Sequence, residues 1–202
     1  MARGGKTLRA VLLESGLIVF SILLALAVDG WRERRGEAQL ARRALRSFEL
    51  EIRQNKRNIE EVLPYHRTLA ASVRRADSLG RIRNYADWKE QLPEFSGFHP
   101  PDLPATAWQS ALAVGALASM GYDTVAALSK LYYYQGKLDA FTHASLTGFD
   151  FSDSRIPATV RQAYVYLATV VPNEENLLDQ YDEVLRLIAR DPAGVVRRAE
   201  HP

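Results

Sequence analysis

The sequence predicts an all-α protein, with an N-terminal transmembrane helix continuing into a long kinked helix and about four shorter helices packed against it. Three observations lead there. Residues Ala10–Val28 are apolar except for Glu14; from Ala38 onward apolar residues recur at alternating spacings of three and four; and beyond residue 105 several segments open on helix start signals and then carry one apolar face. The chain accordingly divides into a basic N-terminal tail (1–9), a transmembrane helix (10–29), a long basic heptad-like helix (30–80), a Pro/aromatic connector (81–105), a helical bundle domain (106–190) and a C-terminal tail (191–202).

The uninterrupted apolar stretch, Ser15–Val28, has 14 residues, fewer than the roughly 20 that cross a bilayer. Extension through Leu8 and Asp29 supplies the length. Glu14 then lies about one turn from the amino-terminal interface, where its carboxylate reaches headgroups. Trp31 follows the apolar run as an interfacial aromatic, with Arg34 and Arg35 beside it. A secretory signal peptide shares the basic start, the apolar middle and Ala25-Leu26-Ala27. The helical pattern continues beyond residue 28, which favours an uncleaved anchor.

From Ala38 the seam reads Ala38, Ala41, Leu45, Phe48, Ile52, Asn55, Ile59, Val62, and continues in phase through Tyr65, Leu69, Ser72, Ala76 and Leu79. Pro64 interrupts it and is expected to kink the helix, because proline lacks the backbone donor and crowds the preceding turn. Gly80 is the expected stop. One helix is therefore predicted from about residue 8 to residue 79. Its seam has two outlets, a partner chain or the chain's own later helices. Phe48, Ile52 and Asn55 are candidate interface residues for the first outlet, Asn55 as a polar residue that sets the register of a coiled coil.

Residues 81–105 hold Pro93, Pro100, Pro101 and Pro104 with Trp88, Phe95 and Phe98, a connector with aromatic anchors. Thr106 reads as the cap of a helix from Ala107 to about Ser119, whose small residues permit close approach to a neighbour. Asp123 opens the next, ending near Thr142, with Val125, Leu128, Tyr132, Gln135 and Leu138 at helical spacing. Pro157 suits the first turn of a further helix, and a last one starts near Pro172 with Glu174 and Glu175 as first-turn acids. Trp108 is a further interface candidate. Tyr132-Tyr133-Tyr134 cannot all face one core, which makes Tyr133 and Tyr134 candidates for a partner or lipid contact.

The charge is split along the chain. Residues 32–83 carry 14 Lys and Arg against 7 acids, whereas residues 84–202 carry 9 against 15. The basic segment has three possible counterparts: anionic lipid, nucleic acid or the chain's own acidic half. Nucleic acid is not expected.

Candidate chemistry is sparse. The chain has no cysteine, so disulfides, thiolate catalysis and Cys-based metal sites are excluded. His66, His99, His143 and His201 are scattered without metal-ligand spacing. Glu60-Glu61 and Glu174-Glu175 are adjacent pairs, which on a helix do not face one another. No phosphate-binding glycine loop, dinucleotide fingerprint or nucleophile elbow is present. No enzymatic activity, cofactor or metal is expected.

Two stretches resemble a family of uncharacterised bacterial single-pass membrane proteins. One runs from Glu14-Ser-Gly-Leu-Ile-Val through Ala27-Val-Asp-Gly-Trp31 to Glu51-Ile-Arg-Gln-Asn55. The other joins Thr106-Ala-Trp-Gln-Ser-Ala-Leu112 to Gly121-Tyr-Asp and Ala127-Leu-Ser-Lys-Leu-Tyr132. The resemblance implies a helical protein of the bacterial inner membrane and carries no catalytic residue. Six arginines after the span (Arg32, Arg34, Arg35, Arg42, Arg43, Arg46) favour a cytoplasmic bundle, but a short tail with four positive charges resists crossing and long domains translocate regardless of charge. The orientation expected is tail inside, bundle on the periplasmic side. The functional expectation is a non-enzymatic accessory or scaffold subunit, in contact with the lipid bilayer and with subunits of a larger membrane complex, for which a respiratory or photosynthetic host is the kind envisaged. The alternatives are a membrane-tethered helical sensor or ligand-binding domain, and a self-associating coiled-coil protein that forms a homo-oligomer.

Overall fold

The computed structural model describes residues 4–190, with side chains from Leu12 onward; the expected C-terminal tail (191–202) and residues 1–3 of the expected basic tail lie outside this description, and residues 4–9 of that tail belong to the first helix. The described chain is all-helical, with no strand. Its elements are α1 (Gly4–Leu79), α2 (Tyr85–Gln91), α3 (Thr106–Ala113), a short 3₁₀ turn (Ala116–Ser119), α4 (Tyr122–Leu146) and α5 (Ile156–Arg190).

Helix α1 has 76 residues, which at 1.5 Å per residue is about 114 Å. Its two parts differ in what covers them. Every large apolar side chain from Leu12 to Val28 is exposed, whereas Ala38, Ala41, Leu45, Phe48, Ile52, Asn55 and Ile59 are all buried. The later helices take up the seam, so of its two outlets the chain uses its own. Helix α5 runs antiparallel to α1, as the pairs Lys56–Asp182, Arg67–Glu175 and Asp77–Arg161 show. Helix α4 runs parallel to α1, with Tyr132 on Glu51 and Gln135 on Asn55. Together α1, α4 and α5 enclose the core, and α3 with the 3₁₀ turn lies along α1.

Beyond Ile59 the buried positions are Leu63, His66, Leu69, Val73 and Ala76, while Val62, Tyr65 and Ser72 are only half-buried and Leu79 is exposed. The expected in-phase continuation through those four residues is thus displaced by one residue at most steps. A straight helix with 3.6 residues per turn drifts about 20° per heptad against a 3.5 repeat. After three heptads the residue facing the core is the next one along. Pro64 lies inside α1 on its exposed side.

Four boundaries differ from expectation. The connector contains α2, started by Asn84, whose Oδ1 accepts from the Asp87 backbone while Asp87 accepts from the Arg83 backbone. Ala105, not Thr106, occupies the cap position of α3 and offers no side-chain bond. The expected helix to Ser119 breaks at Gly115, whose φ of 71° lies in the left-handed region open to glycine. The expected break at Pro172 is absent: α5 is one helix of 35 residues with Pro172 inside it. Pro172 is exposed, so the carbonyl it leaves unpaired faces solvent and costs little.

Candidate functional site

The polar groups of the bundle interior form tiers along α1, and each follows from a backbone need created by the connector. Residues 96–104 are not helical, so their carbonyls lack partners of their own and require donors. Helix α1 supplies them. Asn58 donates to the Asp102 carbonyl at 2.6 Å, Asn55 to that of Pro104 at 2.9 Å, and Tyr65 to that of Gly97 at 2.7 Å. Gln135 of α4 donates to the Leu103 carbonyl at 2.7 Å and accepts from Asn55 at 3.1 Å and from the Tyr181 hydroxyl at 2.8 Å. Burial holds the Tyr181 hydroxyl above its usual range. The strap is thereby sewn to α1 along more than ten residues.

Glu51 forms the tier nearest the apolar N-terminal part of α1. Its carboxylate accepts from the Ala107 backbone at 2.9 Å and from the Tyr132 hydroxyl at 2.7 Å. It therefore caps α3 from another helix, which explains how Ala105 can stand at the cap position without a polar side chain. The negative charge also complements the α3 dipole. Burial and Glu51 together push the Tyr132 hydroxyl well above its ordinary value.

The third tier is the pair His66–Glu174. Both side chains are 0% exposed. His66 Nδ1 lies 2.9 Å from both Glu174 oxygens, and Nε2 lies 2.6 Å from the Phe98 carbonyl. A carbonyl can only accept, so Nε2 carries a proton. Nδ1 then meets a carboxylate in one of two ways: imidazolium donates to carboxylate, or neutral imidazole accepts from a protonated Glu174. Burial pulls the His66 value down, but the hydrogen bond and charge of Glu174 and the carbonyls of Phe98 and His99 outweigh it, and the net direction is upward. Arg67–Glu175 at 2.7 Å repeats the pairing on the surface one residue further along each helix.

Chemically the pair stores one proton between two groups closed to any substrate in this conformation. Among the described residues no group of three or more His, Asp or Glu is placed to hold a metal ion. The expectation that Glu174 is a first-turn acid is corrected: it lies in the middle of α5 at a core position. The signal was present, since Val170, Glu174, Leu177 and Tyr181 recur at spacings of four, three and four.

The candidate interface residues divide. Phe48, Ile52 and Asn55 are fully buried and do not face a partner, because α3, α4 and α5 cover the seam. Trp108 is half-buried and stacks on Tyr132 with ring centroids 5.5 Å apart, against Phe48. Tyr133 and Tyr134 are both exposed, edge to face at 5.4 Å, with Lys137 over the Tyr133 ring. Among the anchor candidates, Glu14, Trp31, Arg34 and Arg35 are all exposed on the part of α1 that stands clear of the bundle. The Arg35 guanidinium lies 5.2 Å from the Trp31 ring centroid. Helix α1 contains the one described segment long and apolar enough to cross a membrane, and none of that segment is buried. No family model matches the chain, and neither a curated protein nor a solved structure matches it.

Proposed function

We propose that the chain is a single-pass membrane protein that acts as a non-enzymatic accessory or scaffold subunit of a larger membrane assembly. One observation carries the reading: the uncovered apolar segment and the spine of the bundle are one continuous helix. Eleven large apolar side chains from Leu12 to Val28 are 44–75% exposed. Each forgoes somewhat more than half of the roughly 1.5–3 kcal/mol that full burial would give, so in water the summed deficit is comparable with the roughly 5–15 kcal/mol that holds a domain of this size together. A bilayer removes the deficit. A flexible linker would leave a tethered domain free to sample its surroundings; a helix that enters the core at Ala38 fixes the height and azimuth of everything packed on it. That rigidity suits positioning better than turnover, and the buried tiers suit cohesion better than substrate access. The bacterial inner membrane and a periplasmic bundle complete the reading, supported by the resemblance of residues 8–142 and by Arg3, Lys6 and Arg9 before the apolar segment.

The test has two stages. Alkaline carbonate extraction of membranes should leave the full chain in the pellet; release to the supernatant would end the membrane reading. Blue-native electrophoresis after mild solubilisation, with subunit identification by mass spectrometry, should show the chain comigrating with a larger complex at fixed stoichiometry. Migration as a lone monomer would end the accessory reading and leave the anchor intact. The buried His66–Glu174 pair favours a second reading, a membrane-tethered sensor, which predicts a reversible pH-dependent change in bundle protection by hydrogen exchange.

A further inference from the structure

Between the apolar segment and the bundle, residues 29–37 of α1 are clear of every other element, and their charges are sorted by side. At 100° per residue, Trp31, Arg35 and Arg32 fall within an arc of roughly 100°, bordered about 60° to one side by Arg34 and about 60° to the other by Asp29, while Glu33 and Glu37 lie on roughly the opposite side. Arg32 and Arg35, three apart, are neighbours on the helix surface. Both are exposed, and among the described residues neither is paired with a carboxylate, whereas Arg53, Lys56, Arg67, Arg83 and Arg161 are. Arg35 is held against the Trp31 ring, 5.2 Å from its centroid, which orders one guanidinium beside a ring that suits the level of glycerol and carbonyl groups.

We propose that Trp31, Arg32 and Arg35 form a binding site for the phosphate of an anionic phospholipid in the leaflet on the bundle's side. This rests on α1 spanning the bilayer. Two guanidiniums bind a phosphodiester through paired N–H donors. With Arg34 bordering the patch and Glu33 and Glu37 facing away, Asp29 is the one acid beside it, and the field over Trp31, Arg32 and Arg35 is net positive. Height selects lipid over an acidic protein segment at this level. The headgroup layer is about 5–8 Å deep. Counted from Val28, Arg32 begins about 6 Å along the helix, within it, and Arg35 about 10 Å along with its guanidinium held back against the Trp31 ring, whereas Arg42 and Arg43 lie about 10 Å further still.

The test uses the full chain in vesicles of phosphatidylcholine and phosphatidylglycerol, with spin-labelled versions of each lipid reporting the motionally restricted shell. Labelled phosphatidylglycerol is expected to associate several-fold more strongly than phosphatidylcholine at low salt. Arg32→Gln with Arg35→Gln should abolish most of that preference and bring the two lipids close to equal association, Trp31→Leu should lower it less, and Arg42→Gln with Arg43→Gln should leave it in place. Equal loss in both arginine pairs, or no preference at all, overturns the site. Because the chain lacks cysteine, a nitroxide on Ile22→Cys reports the span separately. A label freely reached by an aqueous relaxant overturns the spanning reading and this site with it; a label in hydrocarbon without lipid preference overturns this site alone.

Discussion

The two parts of α1 share one backbone geometry and face different surroundings. From Leu12 to Val28 apolar residues occupy every side of the helix, so no single neighbour could cover them; from Ala38 to Ala76 they occupy one stripe, and a bundle covers it. Hydrophobicity summed over a window does not separate a core helix from a membrane helix, but its angular distribution does. The nine residues between them are neither, and there the charges sort by side.

The largest expected effect tests this contrast directly. Phe48→Ala removes a fully buried ring and should cost the bundle about 3–5 kcal/mol. Leu23→Ala, at a position 60% exposed, should leave the thermal unfolding of the bundle within about 0.5 kcal/mol of the parent. Thermal denaturation of both variants in detergent checks it. Comparable losses would mean that the span packs against something in the folded molecule.

The second effect sharpens the contrast between apolar and polar parts of the core. Glu174→Leu strands His66 with an acceptor-facing Nε2 and no carboxylate, and should cost about 3–5 kcal/mol. Glu174→Gln should cost less, because its amide can donate to Nδ1 of a neutral imidazole whose Nε2–H still reaches Phe98. The pair also sets a pH dependence. The folded His66 value is raised above the ordinary 6.5, so its stabilisation is complete below about pH 6.5 and is lost as pH rises through the folded-state value. Melting temperature should fall on the alkaline side in the parent and flatten there in Glu174→Gln. A parent profile that climbs through the same range would show that His66 is held neutral.

How much of this was legible follows the same division. The long helix, its seam to Ile59 and the stop at Gly80 were readable because each rests on local periodicity or on one residue's backbone freedom. Past Ile59 the expected seam holds at Leu69 and Ala76 and is displaced by one residue at Val62, Tyr65 and Ser72, where Leu63, His66 and Val73 face the core instead, since helical drift accumulates with length. Pro172 reads as a helix start in the sequence, which does not show that its side of α5 is exposed and can carry a proline inside the helix. The His66–Glu174 site joins residues 108 positions apart; only the intrusion of each into an apolar stripe announced it. Tyr133 and Tyr134 were read as partly surface, and their exposure follows from three consecutive rings on a helix with one buried side.

A third, smaller effect concerns the cap supplied in trans. Glu51→Ala removes the acceptor for the Ala107 backbone and for the Tyr132 hydroxyl, and should cost about 1–2 kcal/mol. Ala105→Asp should recover part of it by restoring a local cap. Urea denaturation of the single and double variants reads the interaction; additive losses would separate Glu51 from the α3 terminus.

The smallest expected effect has the opposite sign. Tyr166 is 1% exposed, packed among Phe98, Phe141 and Phe149, and its hydroxyl makes no hydrogen bond of ordinary geometry among the described residues, with the Thr142 side chain beside it as a poorly aligned partner. Burial pushes that hydroxyl up to about 12. A buried donor left unmade carries a desolvation cost of about 1–3 kcal/mol, which its removal relieves when the ring keeps its packing. Tyr166→Phe deletes one oxygen and keeps every ring contact, so the bundle should unfold at an equal or higher urea midpoint with an unchanged slope. A loss of more than about 1 kcal/mol in unfolding free energy would mean that the hydroxyl is satisfied, by Thr142, an ordered water or a rotated neighbour, and that the aromatic end of the bundle belongs with its polar tiers.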